Sequence, residues 1–264
     1  GLSQPWVERY FDWLGNFITG NLGNSVVGLA QGAKNAPVSK LIDGPIVNSF
    51  VLATIAGILM VVLSLGLGVV AAVRAGKATD HAINNVTLAA ISLPEFVLGS
   101  VLIVLFFVNL GLFSPVALVP PGKSPLDHPS ILVLPVLTLL GASCASGIRM
   151  VRSGMLGALR SEYVETARLN GLPEHKVVRY ALRNALAPSV QIFAQNLQWL
   201  IGGIIITENL FAYPGLGMEL VNSVENRDVT VVQSTVMLIA IFYVLVNIIA
   251  DLLVMLLVPR LREQ

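Results

Sequence analysis

Five long apolar stretches constrain this chain more than any other feature of its sequence. They cover residues 49–73, 82–108, 131–151, 189–206 and 229–258. A helix crosses the hydrocarbon core of a bilayer with about 20 consecutive, mostly apolar residues. Only 12% of the residues are charged, about half of the ~25% that is typical of soluble domains. The sequence therefore predicts an integral membrane protein.

The apolar stretches have the pattern of helices rather than of barrel strands. Strands of a membrane barrel alternate apolar and polar residues over about 10 positions, whereas residues 52–73 are apolar almost throughout. We predict an all-α, polytopic membrane helix bundle with five transmembrane helices. Residues 1–48 form an external N-terminal segment in this prediction, and residues 49–264 form the transmembrane domain.

The distribution of basic residues predicts the orientation, because cytoplasmic loops retain Lys and Arg. Eleven of the sixteen basic residues fall on one side of the five stretches. They are Arg74, Lys77, Arg149, Arg152, Arg160, Arg168, Lys176, Arg179, Arg183, Arg260 and Arg262. With that side in the cytoplasm, the C-terminus is inside and residues 1–48 are outside. Because Gly1 is not an initiator Met, we expect either a removed signal peptide or a first span upstream of Gly1.

Motifs for metal binding and for nucleotide binding are not supported. The lone Cys144 lies inside the third stretch, where a small buried apolar role is expected. No pair of histidines has metal-ligand spacing. The Gly122-Lys123-Ser124 sequence resembles the end of a phosphate-binding loop, but Ala117 stands where the first glycine is needed. The chain therefore shows no ATP-binding motif of its own.

A charged, amphipathic island, residues 152–188, separates the third and fourth stretches. Its pattern predicts two short helices. In the first, Leu159, Tyr163 and Ala167 recur every four residues and form one face. Asn170-Gly171 ends this helix, because glycine tolerates the left-handed conformation of a C-terminal cap.

The second helix of the island carries two opposed stripes. Pro173 and Glu174 are typical of its first turn. Its apolar stripe is Val177, Ala181 and Ala185, and its basic stripe is Lys176, Arg179 and Arg183. Such a segment either docks a soluble partner or lies in lipid headgroups with its arginines on phosphate. Periodicity alone does not decide between the two.

Polar residues within the apolar stretches are candidates for a translocation path. Glu95 follows Pro94, which removes one backbone bond and opens or kinks a helix. This break either lines a cavity or is a locally satisfied kink near an interface. The amides Gln195, Asn196 and Gln198 begin the fourth stretch and are unfavourable toward lipid. We expect them to face a partner subunit or the pore.

An external turn lies between the fourth and fifth stretches. Pro214, Gly215 and Gly217 form a sequence that punctuates loops. It either places a re-entrant or surface helix near a pore mouth, as an external gate loop, or serves as a simple connector.

The island resembles the signature loop of ATP-binding-cassette importer permeases, Glu-Ala-Ala, three residues, then Gly. The matching residues are Glu165, Thr166, Ala167 and Gly171, with Thr in place of the first Ala. The sequences ETARLNGL and ALRNALAP are similar to the dipeptide, oligopeptide and nickel branch of that family. The likeness extends in order over 1–25, 91–99, 211–224, 227–233 and 258–262, which is nearly the whole chain.

This resemblance implies a non-catalytic subunit of a peptide importer in a bacterial or archaeal inner membrane. It implies a second, related permease, two cytoplasmic ATPases that bind ATP and Mg, and an external substrate-binding protein. It implies six helices, so that the first would lie upstream of Gly1. The residues that would couple to the ATPase are Glu162, Glu165, Thr166, Ala167, Arg168, Gly171, Arg179 and Arg183.

Two other classes of function remain as alternatives to an importer permease. An ion- or proton-driven secondary transporter more often shows inverted repeats and several ionisable groups at the midplane, and here Glu95 is the one serious candidate. A membrane-embedded enzyme needs convergent catalytic or metal-ligating residues, and none converge in the sequence. Neither a metal site nor nucleic-acid binding is expected.

Overall fold

The structure is a computed structural model that describes residues 5–120 and 122–257, without the side chains of residues 186–189, 191, 250, 253–254 and 256–257. The described residues form helices and no strand; an isolated bridge joins Asn24 and Pro37. The helices are α1 (Trp6–Ile18), α2 (Val26–Ala30), α3 (Val38–Val73), α4 (Ala78–Ile91), α5 (Glu95–Ile103), α6 (Val133–Leu159), α7 (Glu162–Leu169), α8 (Glu174–Leu210), α9 (Leu216–Glu225) and α10 (Val229–Leu257). A π-helical turn, Val104–Asn109, extends α5, and two 3-10 turns, Pro125–Asp127 and Pro129–Leu132, precede α6.

Helix α6 is the centre of the bundle and packs between α3 and α8. In its most apolar window 67% of the residues are buried, against 28% for α3 and 17% for α10. Small residues bring α3 and α6 close together. A Cβ atom on Gly68 would lie 2.6 Å from Cβ of Val151, and Gly147 packs on Ser64. Without a hydrophobic force between helices in lipid, such close backbone contact is what holds membrane helices together.

The described part of the chain contains fewer candidate spans than the five predicted. In the described part of the chain, three helical segments are long and apolar enough to cross a bilayer: Val38–Val73, Pro129–Leu159 and Val229–Ile249. A fourth candidate is the pair Ala78–Ile91 and Glu95–Asn109, which is bent by 111°. Five spans stays a prediction. Helix α3 also begins well before the predicted start at residue 49, at Val38.

The second predicted span, residues 82–108, is interrupted at Pro94, as the position of this proline predicted. Helix α4 ends at Ile91 and α5 begins at Glu95, with Pro94 as the extended residue before its first turn. Proline has no amide hydrogen, and its ring disfavours a helical conformation in the residue before it. The break therefore follows from Pro94, although its angle does not follow from the sequence.

The prediction that the second helix of the island is short is wrong. Helix α8 runs without a break from Glu174 to Leu210, a length of 37 residues, and so includes both the basic stripe and the predicted fourth span. Proline is tolerated inside membrane helices when neighbouring groups satisfy the freed backbone, and the backbone stays helical through position 188. The closing sequence 258–262, with Arg260 and Arg262, lies outside the described residues.

Candidate functional site

The segment between α7 and α8 is a tight helical hairpin closed by a glycine. Gly171 has φ +76°, as its predicted cap role requires. The amide of Leu172 donates to the carbonyl of Ala167 at 3.2 Å, and the amide of Gly171 donates to that of Arg168 at 2.9 Å. These two bonds form a Schellman cap. The predicted end of the first island helix is therefore confirmed.

The hairpin is anchored to the bundle by its apolar face. Val164, Val177 and Ala181 are completely buried, and Ala185 is nearly so. They pack in one cluster with Met155, while the predicted face of Leu159, Tyr163 and Ala167 is half-buried against that cluster. Burial of this apolar face against other helices argues against the alternative in which it lies in lipid headgroups.

The opposite face of the hairpin is open to solvent. Its exposed residues are Glu162, Glu165, Thr166, Arg168, Lys176, Arg179 and Arg183. Leu169 at the tip is 83% exposed, which the apolar pattern of the sequence did not predict. Arg168 Nε lies 2.8 Å from Glu174 Oε1, but both side chains are exposed, so the pair contributes at most about 1 kcal/mol. The exposed surface of the hairpin therefore combines charged side chains with one large apolar side chain, that of Leu169.

A polar groove opens where α4 and α5 bend against α6 and α8. Glu95, Gln195 and Asn196 line it, so the structure brings three of the predicted path residues together. Pro94 is exposed and is not part of the lining. Gln198 lines a different groove, beside Tyr243 of α10. The predicted path residues are therefore divided between two surfaces of α8.

Glu95 is held against α8 by two residues one turn apart. Its Oε1 accepts a 2.8 Å bond from the hydroxyl of Thr207, and its carboxyl group packs directly over Gly203, where any added Cβ would collide with it. An acidic side chain at the bilayer centre costs about 2.5–3.5 kcal/mol on insertion scales. The close fit to Gly203 and Thr207 gives Glu95 a defined position on the groove wall.

The opposite end of α8 is joined to the Pro214–Gly217 turn through a buried acid. Glu208 is fully buried and accepts bonds from the amide of Gly217 at 2.6 Å and from the hydroxyl of Ser49 at 2.5 Å. Gly215 packs so closely on Glu208 that a side chain there would occupy the same space. Acids are favourable at a helix N-terminus, and Glu208 occupies that position for α9. Sequence reasoning missed Glu208, although an acid next to an apolar stretch was a visible signal.

Known proteins resemble this chain in sequence and in fold. Residues 64–263 match the family described as binding-protein-dependent transport system inner membrane component. The chain belongs to this permease family. It is 34% identical over 265 residues to the oligopeptide transport system permease protein AppB of Bacillus subtilis, covering 99% of this chain and 82% of that protein. It is 35% identical over 286 residues to the di/tripeptide transport system permease protein DppB of Pseudomonas aeruginosa, covering 100% of this chain and 83% of that protein.

One more relative and one solved structure have names that refer to other cargoes. The metal-staphylopine import system permease protein CntB of Staphylococcus aureus is 31% identical, covering 100% of this chain and 80% of that protein. The solved structure of the MetNI methionine ABC transporter in an inward-facing form matches with a TM-score of 0.63 at 19% identity, covering 82% of this chain and 96% of that chain. That likeness shows a shared fold. Family membership is therefore confirmed. It was predicted from the Glu165 to Gly171 pattern and from the other matching segments.

An ion pair that was not predicted from the sequence joins α4 to α6 near the α7 end of the permease. Asp80, 2% exposed, accepts bonds from Arg152 Nε at 2.6 Å and from a terminal nitrogen of Arg152 at 2.7 Å. Asp80 also accepts from the amide of Gly76 at 2.9 Å and the side-chain amide of Asn84 at 2.7 Å. Bidentate, charge-assisted bonds of this kind are among the strongest in proteins. The signal in the sequence was a single acid between Asp43 and Glu95.

A third buried acid, Asp228, secures the N-terminal segment of the permease to α10. Asp228 accepts a hydrogen bond from the hydroxyl of Ser25 and bonds from the amides of Val26, Val27 and Val231 at 3.2–3.3 Å. Burial alone raises the pKa of Asp228, but the bonds from Ser25 and the amides outweigh burial and hold the pKa below its ordinary value. One carboxylate thus binds the N-terminal turns of both α2 and α10.

Proposed function

We propose that this chain is one of two permease subunits of an ATP-driven importer for peptides, in which it forms half of the translocation path. The α7 end faces the cytoplasm in this proposal, and the end with Glu208 and α9 faces outward. The partners are a second, related permease, two cytoplasmic ATPases and an external substrate-binding protein. The names of the relatives AppB and DppB, which refer to oligopeptides and di/tripeptides, support peptides as the cargo class.

The observation that carries the proposal is the α7–α8 hairpin, which packs against the bundle with one face and exposes the other. A coupling element must present a surface to a soluble partner and transmit force without deforming. The hairpin meets the first need through its exposed residues, among them Glu165, Thr166 and Arg168, and the second through buried Val164 and Val177. Gly171 keeps the turn short.

Helix α8 offers a direct mechanical route from the hairpin to the opposite end. Its 37 residues correspond to about 55 Å at ~1.5 Å per residue. The helix begins at the hairpin, contributes Asn196 to the polar groove, passes Gly203 beneath Glu95, and carries Glu208 near its end. A displacement of α7 by an ATPase would therefore move the groove wall and the turn before α9 together.

In this proposal, the subunit catalyses no reaction. In the proposal, ATP and Mg bind to the partner ATPases, and ATP changes the access state only through its different affinity for the two states of the assembly. The permease supplies shape and contacts, and the exposed residues Glu162, Glu165, Thr166, Arg168, Arg179 and Arg183, with half-buried Ala167, form the ATPase contact.

Cysteine crosslinking of the hairpin tip tests this proposal. In a Cys144→Ala background, Leu169→Cys is expected to crosslink to a co-expressed ATPase subunit in native membranes. Val224→Cys, which is also exposed, at 56%, but lies on α9, is the matched control and is expected to remain uncrosslinked. ATPase capture at both positions or at neither, or uptake that persists without the ATPase, would contradict the proposal.

A further inference from the structure

The polar groove between the α4–α5 bend, α6 and α8 has the size and chemistry of a small-molecule site. Its volume is about 430 Å³, within the range of ligand pockets. The polar and aromatic residues of its lining are Glu95, Ser143, Ser146, Gln195, Asn196 and Trp199. In the part of the chain that the structure describes, no Lys or Arg lines the groove. Its one ionisable side chain is therefore an acid.

Glu95 is positioned in the groove with spare hydrogen-bonding capacity. Thr207 donates to Oε1, and the described residues provide no donor to Oε2. Gly203 leaves space that the carboxyl group fills. A carboxylate placed in this way, with no cation among the described residues of its groove, is suited to bind a cationic ligand group.

Asn196 adds a second, independent sign of a ligand. Its side chain is 6% exposed, and its Oδ1 accepts a 2.8 Å bond from the hydroxyl of Ser146. The Nδ2 atom is buried and has no hydrogen-bond partner among the described residues. Buried amide donors are nearly always paired. An acceptor oxygen that enters the groove would satisfy it.

The spacing of these two groups fits a short peptide. Asn196 and Gly203, over which Glu95 lies, are separated by two turns of α8, which is about 10 Å along the axis at ~1.5 Å per residue. An extended chain covers ~3.3–3.6 Å per residue, so three residues cover the same distance. We infer that this groove is a transit subsite for peptides with a free amino terminus. Glu95 accepts the terminal ammonium, Asn196 Nδ2 donates to a main-chain carbonyl, and the 80% exposed indole of Trp199 offers apolar contact.

This inference rests on the proposed function, since the cargo must be peptides for the subsite to be used. The test is protection of a cysteine in membranes that contain the complete transporter. Gln195→Cys, an exposed position of the lining, is the reporter in a Cys144→Ala background. Its rate of labelling by a thiosulfonate reagent is measured with trialanine and with N-acetyl-trialanine.

Trialanine is expected to slow the labelling, whereas N-acetyl-trialanine, which has no ammonium group, is not. Glu95→Gln preserves the shape over Gly203 and is expected to raise the trialanine concentration for half-protection at least about tenfold, because a charge-assisted bond is lost. Asn196→Ala is expected to weaken protection as well. Glu225→Gln, an exposed acid on α9, is the matched control and should leave protection unchanged.

Equal protection by the two peptides, or no effect of Glu95→Gln, would overturn the subsite. Failure of Glu95→Gln to assemble with the second permease would also overturn the subsite. The groove would then be a surface at which the two permeases pack. ATP-dependent uptake of a peptide, measured on the same membranes, reports on the proposed function separately. Uptake without protection would remove the subsite and leave the importer proposal standing.

Discussion

At the scale of single residues, the backbone of Gly171 carries the argument for the hairpin. The site needs φ +76°, and there is open space around the position where a Cβ would lie. Any penalty for a side chain is therefore conformational rather than steric. This part of the site could be predicted from the sequence, because Asn-Gly before a proline is a local signal of a helix end.

Gly171→Ala should loosen the hairpin without a packing defect. A left-handed alanine costs about 1–2 kcal/mol, so hydrogen exchange of the α7 amides should accelerate by a factor of roughly 5–30. Gly157→Ala is the matched control, because it too has open space around its Cβ position but has no left-handed backbone. It should leave exchange in α7 unchanged. Equal exchange rates in the two variants would show that the turn does not set the stability of α7.

At the scale of elements, the sequence predicted the apolar helices better than their interruptions. The helix that begins at Val229 and the end of α7 agree with prediction. The break at Pro94 was also predicted, but its angle of 111° and the continuity of α8 were not. Hydropathy reports which residues avoid water. It does not report whether neighbouring helices satisfy the backbone around a proline, and that decides between a break and a continuous helix.

The joint between α8 and α9 is an element-scale feature that the sequence did not reveal, because it joins residues far apart in the chain. Glu208→Ala removes the acceptor of the Gly217 and Met218 amides. Each buried amide left unsatisfied costs about 1–3 kcal/mol. Protection of the α9 amides from hydrogen exchange should therefore fall at least about tenfold. Glu208→Gln keeps a carbonyl acceptor and should lose less.

The control for the α8–α9 joint is Glu225→Gln, in which an exposed acid at the end of α9 is changed. It should leave exchange in α9 as in the unmodified protein. Unchanged exchange in Glu208→Ala would show that the loop around Pro214 and Gly215 holds α9 without the carboxyl group.

At the scale of the whole molecule, three buried acids join separate helices of the bundle to one another. Asp80 joins the start of α4 to α6, Glu208 joins α8 to α3 and α9, and Asp228 joins α2 to α10. Their sequence signal was weak, since an isolated acid in an apolar protein names no partner. Pairing of this kind depends on tertiary structure, and none of these three acids was predicted as a site.

The Asp80–Arg152 pair should govern how firmly the α7 end is connected to the bundle. Arg152 lies on α6, one short connection before α7, and Asp80 anchors the turn after α3. Asp80→Asn removes the charge from the bidentate, charge-assisted bonds that Arg152 donates to Asp80. Asp80→Asn should therefore lower the thermal unfolding temperature of the purified permease and weaken crosslinking of Leu169→Cys to the ATPase.

A double-mutant cycle separates this pair from general damage to the α7 end. If Asp80 and Arg152 stabilise the bundle through each other, Asp80→Asn combined with Arg152→Gln should destabilise much less than the sum of the two single changes. Arg149→Gln, an exposed arginine one turn before Arg152, is the matched control for loss of positive charge and should shift the unfolding temperature little. Strict additivity of Asp80→Asn and Arg152→Gln would refute the coupling. The end of the molecule assigned to the ATPase would then depend on the apolar cluster around Val164 and Met155 instead.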